Sequence, residues 1–446
     1  MKKAMKKDIL ITGFAMFAIF FGSGNLIFPP QVGLLSGQYV FWAIGGLALS
    51  GILFPMLAVA SVGNVGYGLK DMMNHVTSWW HYLYMGLGLL VVVFGTIPRC
   101  GGVAFETGMQ GIFGTMPVYA RVLFLLVFFG VSYYFAMNKS NVIDRIGKYL
   151  TPILLITLLV VIFLAIFHPL GAIQGGTKSS GGQAFVDAFL TGYNTGDVGT
   201  GIICAGIFIT AFQQKGYTKK EEHKKMMLGI IVIGFLLLFI VYGGLAYLGA
   251  QGAGQYPTDV DTTYLLTDLV KRLAGSGGSM VLSLIVIFAC LTTAVGMIAT
   301  TGEWVEEWSK GKVPYKIASL IITVAIFLVS STGVSNVLTI SGPIFTIVFP
   351  MSVVMMVLGL CKKIVPNDGA WKGAVIVAAV MSLFDALNVA KSSGLITADI
   401  SGIMNLINKI PLAQQGFAWV VPTIIGFFVG ALIYKVTGRK SLPYAI

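Results

Sequence analysis

The chain has 446 residues, 56% of them hydrophobic and only 10% charged, with a formal net charge of +12. A soluble protein of this length needs far more charge to cover its surface, so the composition excludes a water-soluble globular protein and places the chain in a membrane. A mean hydropathy of +0.87 agrees, and the fifty-six glycines suit helices packed closely in lipid, where small residues let backbones approach.

The N-terminus, Met1-Lys2-Lys3-Ala4-Met5-Lys6-Lys7, has the basic character of a signal-peptide start. The apolar run behind it carries no Ala-x-Ala-like cleavage site and ends in Pro29-Pro30, which predicts an uncleaved first span. A crossing helix needs about 20 mostly apolar residues. Twelve segments qualify, at about 9–32, 40–66, 82–109, 121–138, 142–168, 184–213, 226–250, 278–302, 314–332, 336–361, 371–390 and 416–437. With both termini cytoplasmic, the inner segments hold 22 Lys and Arg, Lys139 among them, and the outer loops hold 6. That asymmetry follows the positive-inside rule, so the basic charge is topological and calls for no nucleic acid. The outer connections at 169–183, 251–275 and 391–415 either cover an external vestibule or simply join spans.

The first span contains Phe20-Phe21-Gly22-Ser23-Gly24-Asn25-Leu26-Ile27-Phe28-Pro29-Pro30. Two glycines, a serine and an asparagine at mid-membrane predict an unwound helix. Hydrocarbon cannot satisfy free N–H and C=O groups, so a break of this kind needs protein or a polar cavity around it. The sixth span carries a second break, Gly192-Tyr193-Asn194-Thr195-Gly196-Asp197-Val198-Gly199. Breaks in spans one and six are the placement expected of two five-helix halves of inverted topology. Residues 1–168 would form the first half and 184–361 the second, with 371–446 adding helices 11 and 12 and a cytoplasmic tail.

Each break exposes half-helix ends. An N-terminal end offers amides and partial positive charge to a carboxylate, and a C-terminal end offers carbonyls to a cation or ammonium. Gly22, Ser23, Gly24 and Asn25 of the first break, with Tyr193, Asn194 and Asp197 of the second, are therefore the candidate substrate-binding residues. A glycine kink used only for packing is the alternative for either break taken alone. In span eight, Ala289-Cys290-Leu291-Thr292-Thr293-Ala294-Val295-Gly296 pairs two hydroxyls. These either bond back to the preceding turn or join the carbonyls of Ala18, Phe21 and Ala289 in a five-oxygen shell for a small hard cation, sodium.

Charges at membrane depth are costly and are functional candidates by default. Asp197 leads, because it lies in a break. Arg99 and Glu106 share a helix face two turns apart and read as structural, and Asp385 with Asn388 in span eleven reads as packing. Cys100, Cys204, Cys290 and Cys361 have no metal or disulfide spacing and read as small core residues. Enzyme chemistry has no Ser/His, paired-acid or HExxH arrangement at depth, and no GxxxxGK[ST] motif supports primary transport. No polar stripe shared by several helices suggests a channel.

Four blocks in order carry a resemblance: Phe17-Ala18-Ile19-Phe20-Phe21-Gly22-Ser23-Gly24-Asn25-Leu26-Ile27-Phe28-Pro29-Pro30, Ile97-Pro98-Arg99 with Phe105-Glu106, Gly192-Tyr193-Asn194-Thr195-Gly196-Asp197, and Ala289 to Gly296. The sequence resembles the bacterial branched-chain amino acid:cation symporter family (BrnQ-type) over nearly its whole length. That resemblance implies an all-α polytopic membrane protein of about twelve spans with a LeuT-type 5+5 inverted repeat. It also implies sodium-driven import of leucine, isoleucine or valine across the cytoplasmic membrane. In that fold, the Ser23 and Gly24 amides would meet the substrate carboxylate and Asn25 would face a cation or the substrate. Ala18, Phe21, Ala289, Thr292 and Thr293 would fall at its second sodium site. Cys100-Gly101-Gly102 departs from the family's Thr-Ala-Thr, and Asn194 and Gly196 replace Leu and Met beside Asp197. A proton-coupled carrier of a related aliphatic amino acid, with Asp197 as the proton site, is the alternative.

Overall fold

The computed structural model describes residues 2–138, 141–217 and 219–444, so Lys139, counted above on the inner side, lies outside the described residues. Its helices in chain order are α1 (Lys2–Phe20), α2 (Ser23–Ser36), α3 (Val40–Val65), α4 (Leu69–Asn74), α5 (Trp80–Phe113), α6 (Val118–Asn138), α7 (Asn141–Phe167) and α8 (Gly181–Thr195). There follow α9 (Asp197–Gln214), α10 (Lys220–Ala250), α11 (Thr262–Trp308), α12 (Tyr315–Ser330), α13 (Val334–Leu360), α14 (Asp368–Ser392), α15 (Ser401–Ile407) and α16 (Val420–Val436). Apart from one bridge between Gly37 and Gly175, regular structure among the described residues is helical.

Among the described residues, seven helices are long and apolar enough to cross a membrane, or up to nine when each bent pair counts as one span. The bent pairs are the two predicted breaks. α1 meets α2 at 73°, and α8 meets α9 at 48°. Shorter apolar helices run over Pro152–Phe167, Tyr315–Ser330 and Val420–Val436. Exposed apolar side chains such as Leu123, Leu126, Phe163, Phe428 and Ile433 line the outside of the bundle. Lipid is the solvent that leaves such a surface at no cost.

Close helix crossings explain much of the glycine. A Cβ on Gly33 of α2 would lie 1.8 Å from the Ala246 carbonyl oxygen of α10, and one on Gly249 would lie 2.0 Å from that of Pro30. α14 and α16 cross through paired glycines. A Cβ on Gly373 would meet the Gly426 carbonyl at 1.9 Å, and one on Gly430 the Gly369 carbonyl at 2.1 Å. Each helix spaces its two glycines four apart, the small-xxx-small pattern of membrane helix pairs.

Two predicted outer connections acquire structure. The stretch read as connection at 251–275 becomes helical from Thr262, because Asp261 caps the turn by accepting from the Thr263 and Tyr264 amides at 2.9 and 3.0 Å. Leu265, Leu266, Leu269 and Val270 then bury an apolar face. Gly275, at φ +69°, separates this short helix from the long remainder of α11. The 169–183 connection is strapped to the C-terminal end of α2, with Gln38 N donating to Gln174 O at 3.1 Å and Thr177 N to Leu35 O at 2.9 Å.

Candidate functional site: two unwound segments joined by Arg99

At the first break, Phe21 N still donates to Phe17 O at 2.9 Å and Asn25 N to Gly22 O at 3.1 Å. Between them the amides of Gly22, Ser23 and Gly24 make no backbone hydrogen bond. The Ala18 carbonyl accordingly receives no amide from Gly22. Further along α2, Pro29 and Pro30 lack the N–H groups that would reach the Asn25 and Leu26 carbonyls. The segment is thus an end of two helices at once, buried at Ser23 and Asn25.

At the second break, Gly192–Thr195 form a tight turn and Gly196 takes φ +74°. Glycine is required there twice over, since a Cβ would be strained by that φ and would lie 2.5 Å from the Phe345 ring. Thr195 Oγ1 accepts from the Asp197 amide at 3.3 Å. The Val198 and Gly199 amides make no backbone bond. α9 therefore opens with Asp197 on its positive end.

The two breaks meet. Asn25 Nδ2 donates to Asp197 Oδ2 at 3.3 Å and also to the Phe20 carbonyl. Arg99, from α5, lies across both. Its Nη1 donates to Asn194 O at 2.8 Å, while its Nη2 would be 2.9 Å from a Cβ on Gly24. The guanidinium carbon sits 5.2 Å from the Phe28 ring centre and 5.6 Å from that of Phe345. Beside it, Cys100 Sγ donates to Ser23 Oγ at 3.4 Å. Arg99 occupies an α-helical stretch, Ile97–Val103, flanked by wider π-helical turns at Val92–Thr96 and Ala104–Met109. Such turns are rare and are common at functional sites.

Two cavities flank the second break and share Tyr193. One, of about 300 Å³, is lined by Val92, Ile203, Phe345, Val348 and Phe349. The other, of about 530 Å³, is lined by Gln31, Asp187, Asn194, Asp385 and Asn388. Tyr193 stacks on Phe349 with ring centres 3.7 Å apart. Residues of the 391–415 connection, Ser393, Met404 and Asn408 among them, also line the larger cavity, which favours the vestibule over the plain connection expected as its alternative.

Two sequence readings of side chains change and a third holds. Asn194 meets Arg99 through its backbone carbonyl, and the residue also lines the larger cavity. Asp385 and Asn388, read as packing, line that cavity too. Glu106 does not belong with Arg99. It pairs with Arg121 at 3.7 Å and accepts from Thr263 Oγ1 at 3.0 Å and Val334 N at 3.2 Å, which makes it structural as expected. In span eight, Thr292 and Thr293 hydroxyls donate to the Ala289 carbonyl at 2.9 and 3.1 Å. The back-bonding alternative is therefore present, and each hydroxyl retains lone pairs on the same turn as that carbonyl. The Ala18 and Phe21 carbonyls belong to the first break. Sequence reasoning missed the Arg99–Asn194 contact, although Pro98 before Arg99 and Gly101-Gly102 after it mark an irregular helix.

Discontinuous first and sixth spans, joined by buried polar contacts between flanking cavities, define a polytopic carrier. Solved structures agree on the fold. Mhp1, a nucleobase-cation-symport-1 family transporter in a closed conformation with bromovinylhydantoin bound, matches with TM-score 0.59 at 12% identity, covering 97% of this chain and 94% of that one. MhsT in complex with L-phenylalanine matches with TM-score 0.56 at 15% identity, covering 96% and 98%. At these identities the likeness is one of fold, the LeuT-type fold expected from the sequence. Residues 5–437 match the family model described as branched-chain amino acid transport protein. The branched-chain amino acid permease BraB of Bacillus subtilis is 33% identical over 98% of this chain and 97% of its own length. A branched-chain amino acid transport system 2 carrier protein of Pseudomonas aeruginosa is 30% identical over 97% of each. The chain belongs to the branched-chain amino acid transport protein family, a family of carriers and not of enzymes.

Proposed function

We propose that this chain is a sodium-coupled symporter that imports leucine, isoleucine or valine across the cytoplasmic membrane by alternating access. The observation that carries the reading is the meeting of two unwound segments through Asn25 and Asp197. Free amides at Gly22, Ser23 and Gly24 suit the cargo's carboxylate, and Asp197 with nearby carbonyls suits its ammonium. The apolar cavity beside Tyr193, with Val92, Ile203, Val348 and Phe349 in its wall, suits an aliphatic side chain. Tyr193 and its Phe349 partner, between the two cavities, serve as the partition that opens to one side at a time.

In this reading residues 1–168 and 184–361 are the inverted halves, both termini are cytoplasmic, and residues 371–446 add helices 11 and 12 and the cytoplasmic tail. Sodium binds at Ala18, Phe21, Ala289, Thr292 and Thr293, a neutral oxygen set that suits a hard monovalent cation. One observation favours a proton-coupled carrier instead, namely that Asp197 is a buried carboxylate directly at the junction. Uptake of radiolabelled leucine, isoleucine and valine into proteoliposomes decides between them. At fixed pH, the sodium reading expects concentrative uptake to collapse when the sodium gradient is removed. Uptake that follows a proton gradient and ignores sodium overturns it.

A further inference from the structure

Arg99 is 2% exposed and lies at the junction of both breaks. A guanidinium carries five N–H donors and cannot be neutralised by losing a proton. Of these donors, Nη1 has the Asn194 carbonyl, while Nε is buried without any hydrogen-bond partner. Among the described residues no carboxylate lies within 4 Å of the guanidinium: Glu106 is paired with Arg121, and Asp197, near enough to act on the charge, is hydrogen-bonded to Asn25 instead. The two aromatic rings offer only their faces. A buried, unsatisfied donor is expensive, and a buried cation with no anion in hydrogen-bond reach more so.

The unused capacity is directional. Arg99 Nη2 faces the backbone at Gly24, beside the free amides of Ser23 and Gly24. Next to them, nothing stands within 4 Å of the position a Cβ would take on Gly22. Donors from a guanidinium and from a helix end therefore converge near open space. The chemistry that matches such a set is a carboxylate, which can accept charge-assisted bonds from both.

We infer that Arg99 is the anchor for the cargo's carboxylate, completing with its unpaired guanidinium edge the site opened by the Ser23 and Gly24 amides. The inference rests on the amino-acid carrier reading above and deepens it. Two consequences follow. Carriage is selective for an α-carboxylate over an uncharged analogue of the same side chain. Binding also ties α5 to both broken spans, because one guanidinium then holds Asn194 and the cargo together.

Equilibrium binding of L-leucine and of L-leucinamide to the purified full-length protein in lipid nanodiscs tests this. Wild type is expected to prefer leucine by about 100-fold, the loss typical of removing one partner from a buried charged pair. In Arg99→Gln the preference is expected to fall to about threefold or less, mainly through loss of leucine affinity. Arg99→Lys keeps the charge without the planar fork, and a preference about tenfold below wild type is expected. If Arg99→Gln does not fold, that lysine variant decides, and a wild-type preference in it overturns the inference. A merely structural Arg99 would lower both affinities equally and leave the ratio intact, which also overturns it. If wild type itself binds no leucine, the carrier reading falls and this inference with it. If wild type binds leucine and the preference survives in Arg99→Gln, only the inference falls.

Discussion

Glycine serves opposite ends in two regions of this molecule. Between α14 and α16, Gly369, Gly373, Gly426 and Gly430 bring two unbroken helices into backbone contact. At the breaks, Gly22 and Gly196 let the backbone leave the helix, and Gly22 borders open space. The neighbours decide which use prevails. Apolar residues around the α14–α16 glycines have nothing to offer but packing, whereas Ser23, Asn25, Thr195 and Asp197 give unwound backbone polar company. Small size closes one region and opens the other.

Substitutions can break that comparison. The largest effect is expected at Asp197→Asn, which removes the charge between the breaks but keeps the shape. Concentrative leucine uptake should fall by more than 100-fold with the protein still inserted, and normal uptake would remove Asp197 from the mechanism. Gly430→Leu in the packing region should cost about 1–3 kcal/mol of stability through overpacking. It would lower the Tm while leaving leucine affinity per folded molecule unchanged. A loss of affinity there would mean that the two regions are not separable. Gly24→Ala should displace Arg99 and weaken leucine binding about tenfold with little change in Tm, because the clash is with a side-chain end. Thr293→Ala should raise the sodium concentration for half-maximal uptake by about fivefold. Unchanged sodium dependence would count against the ion site.

Much of this comparison was readable in the sequence, because both breaks are local. A polar cluster with glycines inside an apolar run is visible without knowing what it touches, and the bends fall where Gly22 and Gly196 predict them. The helical start at Thr262 escaped because its cap, Asp261, follows a loop-like run and its apolar face is short. What the sequence could not supply is pairing across distance. Arg99 bonds a carbonyl 95 positions away, and Asn25 a carboxylate 172 positions away. Periodicity put Arg99 and Glu106 on one helix face, since seven residues span two turns of an ideal helix. The π-helical turn at Ala104–Met109 breaks that register, and Glu106 turns to Arg121 and Thr263. The glycine pairs of α14 and α16 were equally mute, because only their crossing reveals what their size is for.

If cargo occupies the space opened by the unwound segments, as proposed, Gly22 gives the most direct access to it. Its φ of −111° and ψ of −173° are extended backbone open to any residue, and nothing crowds its missing side chain. Leucine binding to Gly22→Leu in nanodiscs, with Tm measured on the same sample, is the decisive measurement. The account predicts an unchanged Tm and a loss of leucine binding of at least 100-fold. Wild-type affinity in that variant would place the cargo elsewhere and contradict it.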